Sequence, residues 1–303
     1  FTLADGIGYV QAAVDRGLDV DSFAPRLSFF FNVHNDVLEE IAKYRAARRM
    51  WAKIMRERFG AKQPRSWLLR THAQTAGCSL TAQQPINNVV RVAIQALAAV
   101  LGGTNSLHTN SMDETLALPT EEAVQVALRT QQVLAYETGV PNVIDPLGGS
   151  YYVEAMTDQL EREAEALFDE IDAIGGVVAG LESGWFQRKI AQSAARQQWE
   201  IEQHRRTIVG VNEFVTGEPE LSIPTLKVGA DAERAQRARM AKMRAERDQA
   251  ACTQAIDRLR EAARGTENVF PYILECARRY CTLYEIRAAL EDVFGAYREP
   301  VFF

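Results

Sequence analysis

Histidine and cysteine are scarce in this chain of 303 residues, with four of each. Cys78, Cys252, Cys276 and Cys281 show neither zinc-site nor C-x-x-C redox spacing, which points to a reducing compartment and a cytoplasmic location. Long apolar runs are missing too. The longest, Val89 to Leu101, is interrupted by Arg91 and Gln95 and falls short of the roughly 18 residues a membrane helix needs. Basic charge is not in excess: 34 Lys and Arg stand against 40 Asp and Glu, a net charge of −6, so no broad field for nucleic-acid phosphates is expected. There is no low-complexity tract and no repeat of solenoid length. Phe1 to Gly6 lacks the pattern of a targeting peptide, and with Phe rather than Met in first place the chain is expected to begin at a cut. What remains is ordinary globular composition, 47% hydrophobic and 24% charged, with length for about two domains.

Three successive stretches read as a strand followed by a helix. Leu27 to Val33, with three consecutive phenylalanines between Pro25 and Asn35, is too short and aromatic for a helix and predicts a buried strand. Asn35 or Asp36 then caps a helix to Phe59, with Val37, Leu38, Ile41, Trp51, Ile54 and Met55 on its apolar side and Gly60 as its stop. Ser66 to His72 predicts the second strand. Ala82 to Leu101 predicts the second helix, its apolar residues recurring every three or four positions up to Gly102 and Gly103. Ser106 to Asn110 is the third strand, and Thr120 caps a helix from Glu121 to Thr138. A further helix, Asp5 to Arg16, precedes all three units. This alternation implies a parallel sheet covered by helices, either open or part of a barrel, since three strands cannot close one.

Beyond Pro146 the pattern turns helical, with Thr157 to Ile174 and shorter helices to about Gln203. A strand-like run, Thr207 to Val215, and a polar linker, Pro219 to Pro224, lead to one long helix of mixed charge, Ala232 to Arg264, read as solvated and laced with ion pairs. The expected domains are residues 1–145 and 146–303.

The predicted strands end in hydrogen-bonding side chains: Asn32, His34 and Asn35; His72 and Gln74; His108, Thr109 and Asn110. Three of the four histidines therefore fall at the carboxyl ends of adjacent strands, where parallel α/β folds build their sites. Each alone could simply bond a loop backbone. Together they leave open a metal-dependent barrel hydrolase using His34, His72 and His108. Gly102-Gly103-Thr104 and Gly148-Gly149-Ser150 lack the flanking elements of a phosphate loop and read as turns. Cys78, after Gly77, has no identifiable base beside it and reads as small filling.

Around these strand ends lie longer motifs: Pro25-Arg26-Leu27-Ser28-Phe29-Phe30, Arg70-Thr71-His72-Ala73-Gln74-Thr75-Ala76-Gly77, and Gly103-Thr104-Asn105-Ser106-Leu107-His108-Thr109-Asn110. Asp113-Glu114, Asp145-Pro146-Leu147-Gly148-Gly149-Ser150-Tyr151 and Val209-Gly210-Val211-Asn212 follow in order. Through nearly the whole chain this resembles the methylmalonyl-CoA mutase family of adenosylcobalamin-dependent acyl-CoA mutases. The resemblance implies an α/β fold, the C-terminal part of a TIM (β/α)8 barrel holding its last three strands, followed by a helical extension. It implies an isomerase that rearranges a carbon skeleton by a radical route, with adenosylcobalamin as cofactor and an acyl-CoA as substrate. By motif matching, Arg26, Ser28, His72 and Asn105 stand at substrate-binding positions, and Gln74, Gly77, Glu114 and Ala117 at cofactor-binding positions. No catalytic residue and no metal ligand is assigned, because the family's carbonyl-binding histidine belongs to a motif upstream of Phe1.

Two departures shape the expectation. Phe31 and Cys78 stand where typical methylmalonyl-CoA mutases carry tryptophan, and Asn105 replaces the usual glutamine. The first two features resemble isobutyryl-CoA or 2-hydroxyisobutyryl-CoA mutase large subunits, or separately encoded methylmalonyl-CoA mutase large subunits. The Asp-x-His-x-x-Gly motif that offers histidine to cobalt is missing, and Glu202-x-His204-x-x-Thr207 does not match it. The lower cobalt ligand is therefore expected from a separate cobalamin-binding small subunit, in a hetero-oligomer. The tail, Tyr297 to Phe303, reads as a natural end. A non-enzymatic alternative is an assembly partner that kept the fold and lost catalysis.

Overall fold

The computed structural model describes residues 1–216 and 223–298. Most of the Pro219–Pro224 linker and the tail beyond residue 298 lie outside the described residues. Contacts divide the chain into two units, Phe1–Leu226 and Lys227–Val301.

In the first unit, helix α1 (Thr2–Asp15) and a single turn, α2 (Val20–Phe23), lead into strand β1 (Phe29–Val33). Helix α3 (Val37–Glu57), strand β2 (Thr71–Thr75), helix α4 (Asn87–Gly102), strand β3 (Ser106–His108) and helix α5 (Glu121–Tyr136) complete three strand-and-helix units. The strands are parallel, in the order β1-β2-β3, with Phe30 opposite His72 and His72 opposite Ser106. This is a small parallel sheet flanked by helices, and no closed barrel is present among the described residues. Helices α6 (Tyr151–Ala173), α7 (Val177–Glu182) and α8 (Trp185–Glu202) follow.

One face of the sheet is covered. Phe29 and Val33 on β1 and Thr71, Ala73 and Thr75 on β2 are buried, because successive side chains alternate between faces. Phe29 meets Trp51 of α3 edge to face at 4.8 Å, and Leu3, Ile7 and Val10 of α1 join the same cluster. The helices of the three units have physical starts or stops. The Asp36 carboxylate accepts the Glu39 N–H at the head of α3, the Thr120 hydroxyl accepts the Ala123 N–H at the head of α5, and Gly103 ends α4 at φ +81°.

A basic row along and just past α3 meets an acidic row on and just before α6. Arg45 holds Asp145 and Glu154, Arg49 holds Asp158 and Glu161, Lys53 holds Glu165, and Arg58 holds Asp172. The spacing of four keeps the first three bases on one face of α3. The exposed pairs of this ladder fix register more than they stabilise.

The structure moves several expected boundaries. The second strand is Thr71–Thr75 rather than Ser66 to His72, because the Asp21 carboxylate accepts the Lys62 and Gln63 N–H groups and the Ser66 hydroxyl, folding that segment into a turn. Helix α4 starts at Asn87 rather than Ala82, since Asn88 exchanges hydrogen bonds with the Thr81 backbone and Gln84 sits at φ +47°. Thr207 to Val215 holds only one isolated bridge, Val209 to Glu213, because the Asn212 side chain accepts the Ile208 N–H and curls the run into a turn.

The second unit holds helices α9 (Ala230–Glu246), α10 (Gln249–Arg264), α11 (Phe270–Arg278) and α12 (Leu283–Phe294). The expected long helix Ala232 to Arg264 is thus two helices. Asp248 breaks it by capping α10 through the Ala251 N–H. Arg247, almost fully buried, turns inward to make paired bonds of 2.6 and 2.8 Å with Glu285, which also closes a capping box with Thr282 at the start of α12. That guanidinium holds the Glu285 carboxyl down to about 2, well below its ordinary 4.5. Its contribution to stability is therefore complete above about pH 4.5 and is lost as acid takes the pH down toward 2. Hydrogen-exchange protection of α12 in the full chain should fall over that interval, and Glu285→Gln should flatten the dependence.

Candidate functional site

The second face of the sheet is open. It shows two rows of side chains, Phe30, His72 and Ser106, then Asn32, Gln74 and His108, each row running straight across the three strands in register. All six are exposed or half-buried, whereas their neighbours on the covered face of β1 and β2 are mostly buried. The Phe30 and His72 rings lie 4.7 Å apart, and His72 Nδ1 is 2.7 Å from the Ser106 hydroxyl.

The expected site residues fall at three levels of this face. Arg26 and Ser28 are exposed just before β1, and Asn105 just before β3, all at the amino ends of the strands. The Asn105 carboxamide oxygen accepts the Thr71 N–H at 2.9 Å, tying β3 to β2. His72 and Gln74 lie along the face itself. Gly77 and Glu114 lie beyond the carboxyl ends and come together, as a Cβ on Gly77 would stand 3.6 Å from Glu114 Oε1 and 3.0 Å from Asn110 Nδ2. Ala117 occupies the same loop as Glu114, its N–H bonded to the Asp113 carbonyl.

Asn110 is the hub of the carboxyl end. Its side-chain oxygen accepts from Gln74 Nε2 at 3.1 Å, its Nδ2 donates to the Thr75 carbonyl, and its own N–H donates to the Thr75 hydroxyl. The loop beyond is shaped by Asp113, fully buried, whose two oxygens accept the Ser111 hydroxyl at 2.5 Å and the Thr120 N–H at 2.8 Å.

The three histidines do not converge into a metal cluster. His34 lies just past β1 with Nδ1 3.1 Å from the Ser79 hydroxyl, His72 is the second residue of β2 rather than its end, and His108 closes β3. No group of three His, Cys, Asp or Glu side chains that could hold a metal ion occurs among the described residues. Partial desolvation, its main cause, holds the His34 imidazole below its ordinary range.

A cavity of about 590 Å³ borders β1, its lining including Phe30, Asn32, His34 and Gln74 together with Met50 and Phe168. No helix among the described residues is long and apolar enough to cross a membrane.

Residues 1–296 match the family model described as methylmalonyl-CoA mutase. The chain belongs to the methylmalonyl-CoA mutase family. It is 45% identical over its whole length to a 2-hydroxyisobutanoyl-CoA mutase large subunit from Aquincola tertiaricarbonis, covering 54% of that protein. It is 47% identical over 99% of its length to a methylmalonyl-CoA mutase from Cereibacter sphaeroides and 44% over 99% to a methylmalonyl-CoA mutase large subunit from Propionibacterium freudenreichii, covering 42% of each. The chain spans about half the length of the curated relatives it matches, or somewhat less.

Within this mutase-family frame, the sequence reading missed Ser79, Ser106 and Thr75 as partners of the site, and Asp113 as the buried post of its loop. The register supplies the signal for Ser106, since a strand pairing that sets His72 beside it brings the two side chains onto one face. The burial of Asp113 is not marked locally, since beside Ser111 two residues away its second partner is Thr120, seven residues on.

Proposed function

We propose that the chain is the substrate-binding part of the large subunit of an adenosylcobalamin-dependent acyl-CoA mutase, an isomerase of the methylmalonyl-CoA/succinyl-CoA or isobutyryl-CoA/2-hydroxyisobutyryl-CoA type. One observation carries the reading: a polar open sheet face joins Arg26, Ser28 and Asn105 at one end to Gln74, Gly77 and Glu114 at the other. A five-residue strand spans about 15 Å, a run suited to a long, extended ligand with a polar head at one end and its reacting carbons at the other. In this reading Arg26 grips a phosphate of the coenzyme A portion and Ser28 adds a neutral hydrogen bond. His72, with Nδ1 committed to Ser106, keeps its other ring nitrogen for the acyl-CoA arm.

The carboxyl end fits the cofactor. Gly77 has no side chain between its backbone and a bulky ring, and Glu114 and Gln74 beside it offer acceptors and donors for hydroxyl and amide groups. Bound adenosylcobalamin would supply the radical that the rearrangement requires. The chain's own task is to hold the remote end of the substrate, set the reacting carbons and keep water away. The lower cobalt ligand comes from a separate small subunit, in keeping with relatives named as large subunits. The free edges of β1 and β3 are where the rest of a (β/α)8 barrel would pair.

Full-length protein with a candidate cobalamin-binding subunit should isomerise a branched acyl-CoA when adenosylcobalamin is added, followed by chromatography of the acyl-CoA pool. Absence of turnover with methylmalonyl-, isobutyryl- and 2-hydroxyisobutyryl-CoA would overturn the reading.

A further inference from the structure

Three of the four cysteines, which show no redox spacing in sequence, meet in the core of the second unit. Cys252, Cys276 and Cys281 are 2%, 0% and 8% exposed, and they pack with Leu259 and Ala289. Their meeting has a local cause and a tertiary one. Helix α11 ends in a Schellman cap: the Tyr280 N–H bonds to the Ala277 carbonyl and the Cys281 N–H to the Cys276 carbonyl, with Tyr280 at φ +59°. Such a cap brings the residue two past the helix end back against the last turn, and here those residues are Cys281 and Cys276. The packing of α10 then sets Cys252 Sγ 2.9 Å from Cys281 Sγ.

We propose that Cys252 and Cys281 are an oxidation site that closes to an intrachain disulfide when the protein meets a peroxide. The two sulfurs are less than about 1 Å from covalent length, so closure needs no movement of a helix. Access comes through the turn between α11 and α12, where the sequence neighbours of Cys281, Tyr280, Leu283 and Tyr284, are 65%, 82% and 68% exposed. Opening that turn uncovers Cys281 while α10 stays folded. Peroxide transfers an oxygen to one thiolate sulfur, forming a sulfenic acid and releasing water once the departing hydroxide is protonated. The second thiolate attacks that sulfur, an S–S bond forms, the S–O bond breaks, and the departing hydroxide takes up the second thiol's proton. In sum two thiols and one hydrogen peroxide give one disulfide and two waters. Burial raises the Cys281 thiol well above its ordinary range, so reaction is slow until the turn opens. The bond would link the first turn of α10 to the head of α12 across 29 residues.

The test uses the full chain, reduced, treated with hydrogen peroxide, alkylated and digested with trypsin without reductant. Cleavage after Arg258, Arg278 and Arg279 puts Cys252, Cys276 and Cys281 on three separate peptides. The expected product joins the Cys252 and Cys281 peptides, about 2 Da lighter than their sum, and leaves Cys276 alkylated. Cys276→Ser should keep the link, and reductant should remove it. Exposed Cys78 reports that the oxidant has acted. Recovery of Cys252 and Cys281 as separate peptides while Cys78 is oxidised would overturn the proposal, as would a link between Cys276 and Cys281.

Discussion

Asp113→Ala is expected to destabilise the first unit by about 2–4 kcal/mol, because it removes a buried carboxylate that two groups depend on. The Ser111 hydroxyl loses its acceptor and the Thr120 N–H loses its partner, in a place water does not reach. Thr120 also caps α5 through the Ala123 N–H, so loosening it weakens the helix start. Asp113→Asn keeps an oxygen for one of the two donors and turns an NH2 group toward the other, and about half the loss is expected. Urea unfolding followed by tryptophan fluorescence measures both, as all four tryptophans lie before residue 200. A loss below about 0.5 kcal/mol for the alanine variant would show that the loop is held by other contacts. Glu114 and Ala117 ride on the same loop, and the Ala117 N–H is bonded to the Asp113 carbonyl, so hydrogen exchange at that amide should speed up in parallel.

The three strand-and-helix units were legible in the sequence where a local signal existed. The Phe29–Val33 strand announces itself by its aromatic run, α4 by its apolar period and α5 by Thr120. The second strand was misplaced by several residues because its residues, Thr-His-Ala-Gln-Thr, carry no apolar alternation. Their small covered-face side chains answer to Tyr44, Ala98 and Ala99, which pack against Ala73 from distant helices. The same holds for the site. Which residues bear polar groups near strand ends could be read, but the pairing of His34 with Ser79 and of His72 with Ser106 depends on loops and register that span 45 and 34 residues. The division of the Ala232–Arg264 helix was hidden for a similar reason, since Arg247 leaves the helix to reach Glu285. The cysteine cluster depends on a left-handed Tyr280, a conformation no sequence rule would assign to tyrosine.

If the chain serves the proposed mutase, Gln74→Leu in the full-length protein with its cobalamin-binding partner is expected to lower kcat/KM about 100-fold, close to 2.7 kcal/mol of transition-state stabilisation. Gln74 stands in the middle of the open face, between Asn32 and His108, half-buried, and spends one N–H on Asn110 Oδ1. Its oxygen and second N–H remain for whatever occupies the carboxyl end of the sheet, where Gly77 and Glu114 also converge. Leucine fills nearly the same volume and offers neither donor nor acceptor, so the groups it faced would be left desolvated without partners. The fold should persist at a cost of about 1–3 kcal/mol, because buried Asn110 Oδ1 loses the Gln74 donor while Asn110 keeps its two bonds to Thr75 and the covered face of β2 is untouched. The split between the kinetic constants decides the role. A fall in kcat with KM unchanged places Gln74 against the reacting end of the substrate or the cofactor, whereas a rise in KM alone places it along the binding arm. A third pattern, unchanged kinetics with lowered thermal stability, would mean that the carboxamide serves only to hold Asn110, and the open face would then need another residue to receive its ligand.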